Sequence, residues 1–128
     1  MARNRVLIAD RNPAIRQALI DLLQENSEIV ATVEDGESVF GAIDAVSPNV
    51  ILLGLTFEGK SGFDIARRLR QSKCPAKIII VSLHESRDLV RAALAIGASG
   101  YVFVSRLLDD LPAAIHTACA GGVFDPAQ

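Results

Sequence analysis

The sequence predicts an α/β domain, a single doubly wound, five-stranded parallel sheet with five helices. Short apolar runs alternate with segments of helical period five times along 128 residues. The runs are apolar at consecutive positions, the pattern of strands buried on both faces. Proline, glycine and capping residues punctuate the junctions between them.

Val6-Leu7-Ile8-Ala9 is the first strand, too short for a helix and closed by Asp10. Asn12-Pro13 starts a helix, with Asn as cap and Pro at the first helical position. Ile15, Leu19, Leu22 and Leu23 then fall on one face. Ile29 to Val33 is the second strand. Val39, Ile43 and Val46 mark a second helix, which Pro48-Asn49 breaks. Val50-Ile51-Leu52-Leu53 is the third and most hydrophobic strand. Gly54 to Gly62, with three glycines, a Lys and a Glu, reads as a loop.

Phe63, Ala66 and Leu69 carry the third helix, whose outer face holds Arg67, Arg68 and Arg70. Lys77 to Val81 is the fourth strand. Ser86 caps a helix with Leu89, Val90, Ala93, Leu94 and Ile96, and Gly97 sits where a C-terminal glycine cap belongs. Tyr101 to Val104 is the fifth strand. The last helix uses Leu108 or Leu111, Ile115 and Ala118, and stops at Gly121-Gly122. Because proline inside a helix costs about 3 kcal/mol, Pro112 predicts a start near Asp109 or Asp110.

Composition narrows the function. Thirteen Lys plus Arg against fifteen Asp plus Glu give a net charge of -2, so no strong basic field attracts nucleic acid or an anionic membrane. No apolar run approaches a membrane span, and Met1-Ala2-Arg3-Asn4-Arg5 does not lead into a secretory signal. Cys74 and Cys119 are isolated and read as free thiols of a cytoplasmic protein. No Ser/His/Asp or Cys/His arrangement supports hydrolase chemistry, and a non-enzyme is expected. No linker divides the chain, and residues 1–128 are taken as one domain.

In parallel sheets, ligands sit beyond the carboxyl ends of the strands. That edge holds Asp10 to Asn12, Val33 to Gly36, Gly54 to Glu58, Ser82 to Glu85 and Val104 to Arg106. A nucleotide phosphate would need a glycine-rich turn after the first strand, and Asp10-Arg11-Asn12-Pro13-Ala14 contains no glycine.

Val6-Leu7-Ile8-Ala9-Asp10, Pro48 to Leu53, Gly62-Phe63, Ile78 to Ser82 and Gly97-Ala98-Ser99-Gly100-Tyr101 occur in an order that closely resembles response-regulator receiver domains. The likeness is to CheY-like receivers of the kind that precede a LuxR-type helix-turn-helix. It implies the flavodoxin-like strand order 2-1-3-4-5 and a DNA-binding domain outside this chain. Gly121-Gly122-Val123-Phe124-Asp125-Pro126 looks like the point where a linker begins.

The resemblance also implies a chemistry. Two acids after the first strand and an aspartate ending the third hold Mg²⁺, and that aspartate takes a phosphoryl group from a histidine kinase. A Ser or Thr after the fourth strand and a Lys ending the fifth contact the phosphoryl oxygens. Here Asp10 matches the first acid and Ser82 the hydroxyl. Arg11 stands for the second acid, Gly54 for the phosphoacceptor and Val104 for the lysine.

Glycine has no side chain on which an acyl phosphate can form. A dication about 4 Å from a guanidinium is repelled by roughly 8 kcal/mol at an effective dielectric of about 20. The expectation is a degenerate pseudo-receiver: Gly54 not phosphorylatable, no catalytic residue, no cofactor, and Mg²⁺ binding weak or absent. Arg11 is expected either to pair with Asp10 or Glu58 or to point into solvent. The alternatives are a phosphorelay receiver using Asp10 or Ser82 as an unusual acceptor, or a small-ligand sensor in the vacated pocket.

Ser82 also reads as a local cap. Tyr101 resembles the family's switch aromatic, locked here or merely packing. His84 and His116 lack partners at metal or triad spacing, and no metal ligand set is expected. Arg67, Arg68, Arg70 and Lys73 read as a solvated basic face, with an acidic partner as the sharper option. What remains is contact with a protein partner or a second copy. The expected surface is the fourth helix, fifth strand and fifth helix, including Leu89, Arg91, Ala95, Tyr101, Phe103, Arg106, Leu107 and Leu108, or else the first and fifth helices.

Overall fold

Five apolar segments become parallel strands because each can be covered on both sides. They are β1 (Asn4–Ala9), β2 (Ser27–Val33), β3 (Val50–Leu53), β4 (Lys77–Ser82) and β5 (Gly100–Phe103). The computed structural model describes residues 3–126. Met1 and Ala2, the start of the segment expected not to lead into a secretory signal, and residues 127 and 128 of the expected 1–128 domain lie outside them. The strands pair in the order β2-β1-β3-β4-β5, the expected doubly wound, flavodoxin-like arrangement.

The helices are α1 (Pro13–Leu23), α2 (Gly36–Val46), α3 (Gly62–Gln71), α4 (Arg87–Ala95) and α5 (Leu107–Cys119). Alternate strand residues feed two cores. Leu7, Ala9, Ile51, Leu53, Ile78, Ile80 and Tyr101 pack with α2, α3 and α4 through Val39, Ile65, Leu69, Val90 and Ala93. Val6, Ile8, Val50, Leu52, Ile79, Val81 and Val102 pack with α1 and α5 through Leu19, Leu23, Leu111 and Ile115.

Local chemistry sets the helix starts. The Asn12 side chain accepts the Ala14 and Ile15 N–H groups, and Ser86 accepts that of Leu89, as expected. Asp35 and Ser61 cap α2 and α3 in the same way. Gly121, at φ 91, closes α5, where left-handed backbone favours glycine.

Three expectations are corrected. The stretch Gly54 to Gly62 is not plain loop, since Thr56–Phe57 and Lys60–Ser61 pair as a small antiparallel hairpin. A Lys60–Glu37 ion pair ties that hairpin to α2, and Phe57 is buried beneath it. The fifth strand ends at Phe103, and Val104 opens a 3₁₀ turn, Val104–Arg106.

The last helix starts at Leu107 and includes Pro112. The N–H that proline lacks would bond the carbonyl of Leu108, in the first turn of the helix, so the helix loses one bond near its start and not at its middle. Leu111, not Leu108, is the buried leucine.

Candidate functional site

Parallel strands end together, so their carboxyl ends gather side chains that are distant in sequence. Asp10 follows β1 and is 6% exposed. Its Oδ1 accepts the Asn12 N–H at 2.8 Å, and its carbonyl oxygen accepts from Arg16 Nη1 at 2.6 Å. Arg16 also reaches Glu34 at 3.7 Å. Burial pushes the Asp10 carboxyl above its ordinary range, opposed by the Asn12 hydrogen bond and by the Arg16 charge.

Gly54 follows β3 and donates its N–H to the Ala9 carbonyl at 2.9 Å. A Cβ on Gly54 would stand 2.7 Å from Asp10 Oδ2. Asp10 thus lies against the face on which residue 54 would project a side chain. Gly62, at the start of α3, is held for another reason: a Cβ there would collide with the Gly54 carbonyl oxygen.

A cavity of about 170 Å³ opens at this edge. Asp10, Arg11, Asn12, Ile15, Leu55, Thr56 and the stretch Val81 to His84 line it. Among these residues Asp10 is the one carboxylate. Arg11 is exposed and forms no ion pair among the described residues, so of its two expected positions it takes the solvent-facing one. It borders an acidic hollow with Glu34, Asp35 and Glu58.

Ser82 ends β4, 4% exposed, and its Oγ accepts the His84 N–H at 2.9 Å, a local turn cap. Tyr101 is fully buried, and its hydroxyl donates to the His84 carbonyl at 2.8 Å. Its ring meets Phe103 edge-on at 5.7 Å. Burial raises its hydroxyl above the usual tyrosine range, against a smaller lowering by the Ser82 hydroxyl. Tyr101 therefore presents no contact surface to a partner.

The structure gathers Asp10, Arg11, Ser82 and Gly54 at one edge, with Tyr101 just beneath. Val104 follows β5 at the same edge, one residue past the Ser82–Phe103 pair, but does not line this cavity. That residue packs toward α5's core and borders a separate hollow with Leu107 and Leu108.

Arg16, which tethers Asp10, was not anticipated. Its position one turn beyond the Asn12 cap was the available clue. The basic face on α3 is also discontinuous. Arg67 pairs with Asp64, Arg68 pairs with Glu37 and stacks over Phe40, and Arg70 turns inward onto the Cys74 and Ala76 carbonyls.

The resemblance to receiver domains implies a divalent cation at this edge. The donors present do not fit one. Asp10 offers a single carboxylate, Gly54 offers no side chain, and Arg11 carries the wrong charge. Among the described residues no group of three or more His, Cys, Asp or Glu is placed to hold a metal. Cys74 and Cys119 are free thiols, and among the described residues no helix is long and apolar enough to cross a membrane.

Comparison with known proteins places this arrangement. The family described as the response regulator receiver domain matches residues 6–116. A nitrate/nitrite response regulator protein homolog of Haemophilus influenzae is 31% identical over 122 residues, covering 94% of this chain and 59% of that protein. The chain spans about half the length of the curated relatives it matches. A LuxR-family two-component response regulator from Aurantimonas sp. SI85-9A1 superposes with a TM-score of 0.89 at 26% identity, covering 96% of this chain and 89% of that one. The isolated receiver domain of RcsB from Salmonella enterica serovar Typhimurium shares the fold, with a TM-score of 0.87 at 19% identity over 97% of this chain and 94% of that one.

Proposed function

Since this chain belongs to the response-regulator receiver family of two-component signalling, we propose that it is a member that signals without accepting a phosphoryl group, through contacts with other proteins. The observation that carries the reading is Gly54, which stands where the family's acceptor aspartate belongs and offers no nucleophile. Arg11 and Val104 support it, because the second acid and the phosphoryl-reading lysine are absent at those positions. Mg²⁺ has one carboxylate to bind and a neighbouring guanidinium to overcome, so it associates weakly or not at all.

The contact surface we favour is α4, β5 and α5. Leu108 is 77% exposed there, next to half-buried Leu107, and Phe103 of β5 is half-buried as well. A second copy of the chain, or a domain following it in the full protein, is the partner. DNA is reached through such a following domain, as in LuxR-type regulators.

Incubation with a small-molecule phosphodonor and Mg²⁺, followed by intact mass measurement, tests the proposal. No adduct is expected. A stoichiometric phosphoryl adduct overturns it. Locating that adduct at Asp10 or Ser82 would instead establish a phosphorelay receiver with an unusual acceptor.

A further inference from the structure

After α5 the chain does not leave the domain. Gly121 and Gly122 turn it back, their N–H groups bonding the Ala118 and Thr117 carbonyls. The next residues cross the outer edge of β5. Phe124 donates its N–H to the Ser99 carbonyl at 2.9 Å and accepts the Tyr101 N–H at 3.2 Å. Gly100 and Phe124 form a parallel bridge. The absent side chain of Gly100 makes room for it, since a Cβ there would lie 3.2 Å from the Phe124 Cβ. Phe124 thus adds a single bridge at the sheet's outer edge and pairs the Ser99 carbonyl and Tyr101 N–H, which would otherwise be open backbone groups.

Beyond the bridge, Asp125 meets the first residue of α4. Arg87 Nη1 and Nη2 donate to the two carboxylate oxygens of Asp125, each at 2.6 Å. This two-pronged geometry is the most directional ion pair available to these side chains. It joins residues 38 positions apart and fixes the path of the chain at Asp125 relative to α4. Tyr101 stands between the two ends. Its hydroxyl holds the His84 carbonyl in the loop before α4, and its N–H holds Phe124.

We infer that residues 122–126 form a releasable strap, latched by Arg87 and Asp125, that couples the start of α4 to the direction in which the chain leaves the domain. The strap is held by backbone hydrogen bonds at Gly122 and Phe124, a half-buried phenylalanine and the part-buried Arg87–Asp125 pair, with far less apolar packing than the sheet, so it opens before the core does. Docked, it fixes the path of the chain through Phe124 and Asp125. Released, it frees the β5 edge and the first turn of α4 together. A displacement of α4, such as a partner on that face would cause, is then felt at the chain's exit. The coupling holds whether or not phosphoryl chemistry occurs.

Amide hydrogen exchange by NMR on the 128-residue chain tests this. Asp125→Asn and Arg87→Gln are each expected to speed exchange at Phe124 and Tyr101 by about fivefold or more, the upper end for an exposed pair being the floor for this part-buried one. The double variant should be no faster than either single one. The Leu89 and Val90 resonances of α4's first turn should shift in both single variants, while Leu52 and Ile79 in the core keep their rates. Unchanged exchange at Phe124 and Tyr101 overturns the latch, and unmoved α4 resonances in a released variant overturn the coupling. If core amides quicken too, the reversed pair Arg87→Asp with Asp125→Arg must restore protection, or the proposal fails. A phosphoryl adduct would remove the reading of Gly54 and leave the strap standing.

Discussion

Asp10 Oδ2 lies 2.7 Å from the point where a Cβ on Gly54 would stand. In this structure the Asp10 carboxylate occupies the space into which a side chain at residue 54 would project. The carboxylate is buried and tethered by the Asn12 N–H, while Arg16 grips its backbone. The edge is a packed corner with a small cavity beside it.

That spacing sets apart two glycines. Gly54→Ala requires the Asp10 carboxylate, the end of a side chain, to turn aside, and should cost about 1 kcal/mol or less, at the low end for overpacking. Gly62→Ala drives a methyl into the Gly54 backbone carbonyl, which cannot turn aside, and should cost about 3 kcal/mol. Urea unfolding of the two variants gives the comparison. Equal losses would contradict the geometry.

Asp10 should also destabilise the fold at neutral pH. Its folded carboxyl is raised above the ordinary range of 3.8, chiefly by burial. The folded state therefore holds the proton more tightly than the unfolded chain does, and the resulting stability is present at low pH and lost as pH rises through the folded value. Asp10→Asn, which keeps an oxygen for the Asn12 N–H, should raise the Tm at pH 7, and the gain should vanish below about pH 4. A gain independent of pH, or a loss at pH 7, would count against this account.

Added Mg²⁺ should leave the Tm unchanged up to millimolar concentration, because a ligand stabilises only what it binds. A differential scanning measurement with and without the metal suffices, and a clear rise would contradict the reading of Arg11 and Gly54.

The two leucines of α5 make a further contrast. Leu111 is fully buried, and Leu111→Ala should cost about 2–5 kcal/mol. Leu108 is 77% exposed, and Leu108→Ser should change stability by no more than about 0.5 kcal/mol. If α4, β5 and α5 form the contact face, Leu108→Ser should weaken self-association or partner capture in light scattering or pull-down. A strong loss of stability instead would place Leu108 in the core.

Tyr101→Phe removes the bond to the His84 carbonyl and leaves the ring in place. A loss of about 0.5–1.5 kcal/mol is expected, typical of one hydrogen bond. Thermal unfolding checks it, and an unchanged Tm would show that the hydroxyl contributes nothing to holding the loop before α4.

The periodic signals sufficed for the sheet and its five helices, and residue type for the Asn12 and Ser86 caps though not for those at Asp35 and Ser61, because burial on both faces is written in residues adjacent along the chain. The hairpin within Gly54 to Gly62 was not legible, since two-residue strands carry no pattern of their own. The early start of α5 was missed because the cost of Pro112 is one lost bond near the helix start, which the packing of Leu111 and Ile115 offsets.

At the site, the absence of an acceptor at Gly54 was a matter of residue type, and sequence alone determined it. Tertiary structure alone decided that Asp10 packs against Gly54, that Arg16 rather than Arg11 engages it, that Val104 faces another hollow, and that Asp125 closes on Arg87. Those relationships join residues from different strands and helices. Their distances follow from how strands pair and helices pack, and no local stretch of sequence encodes them.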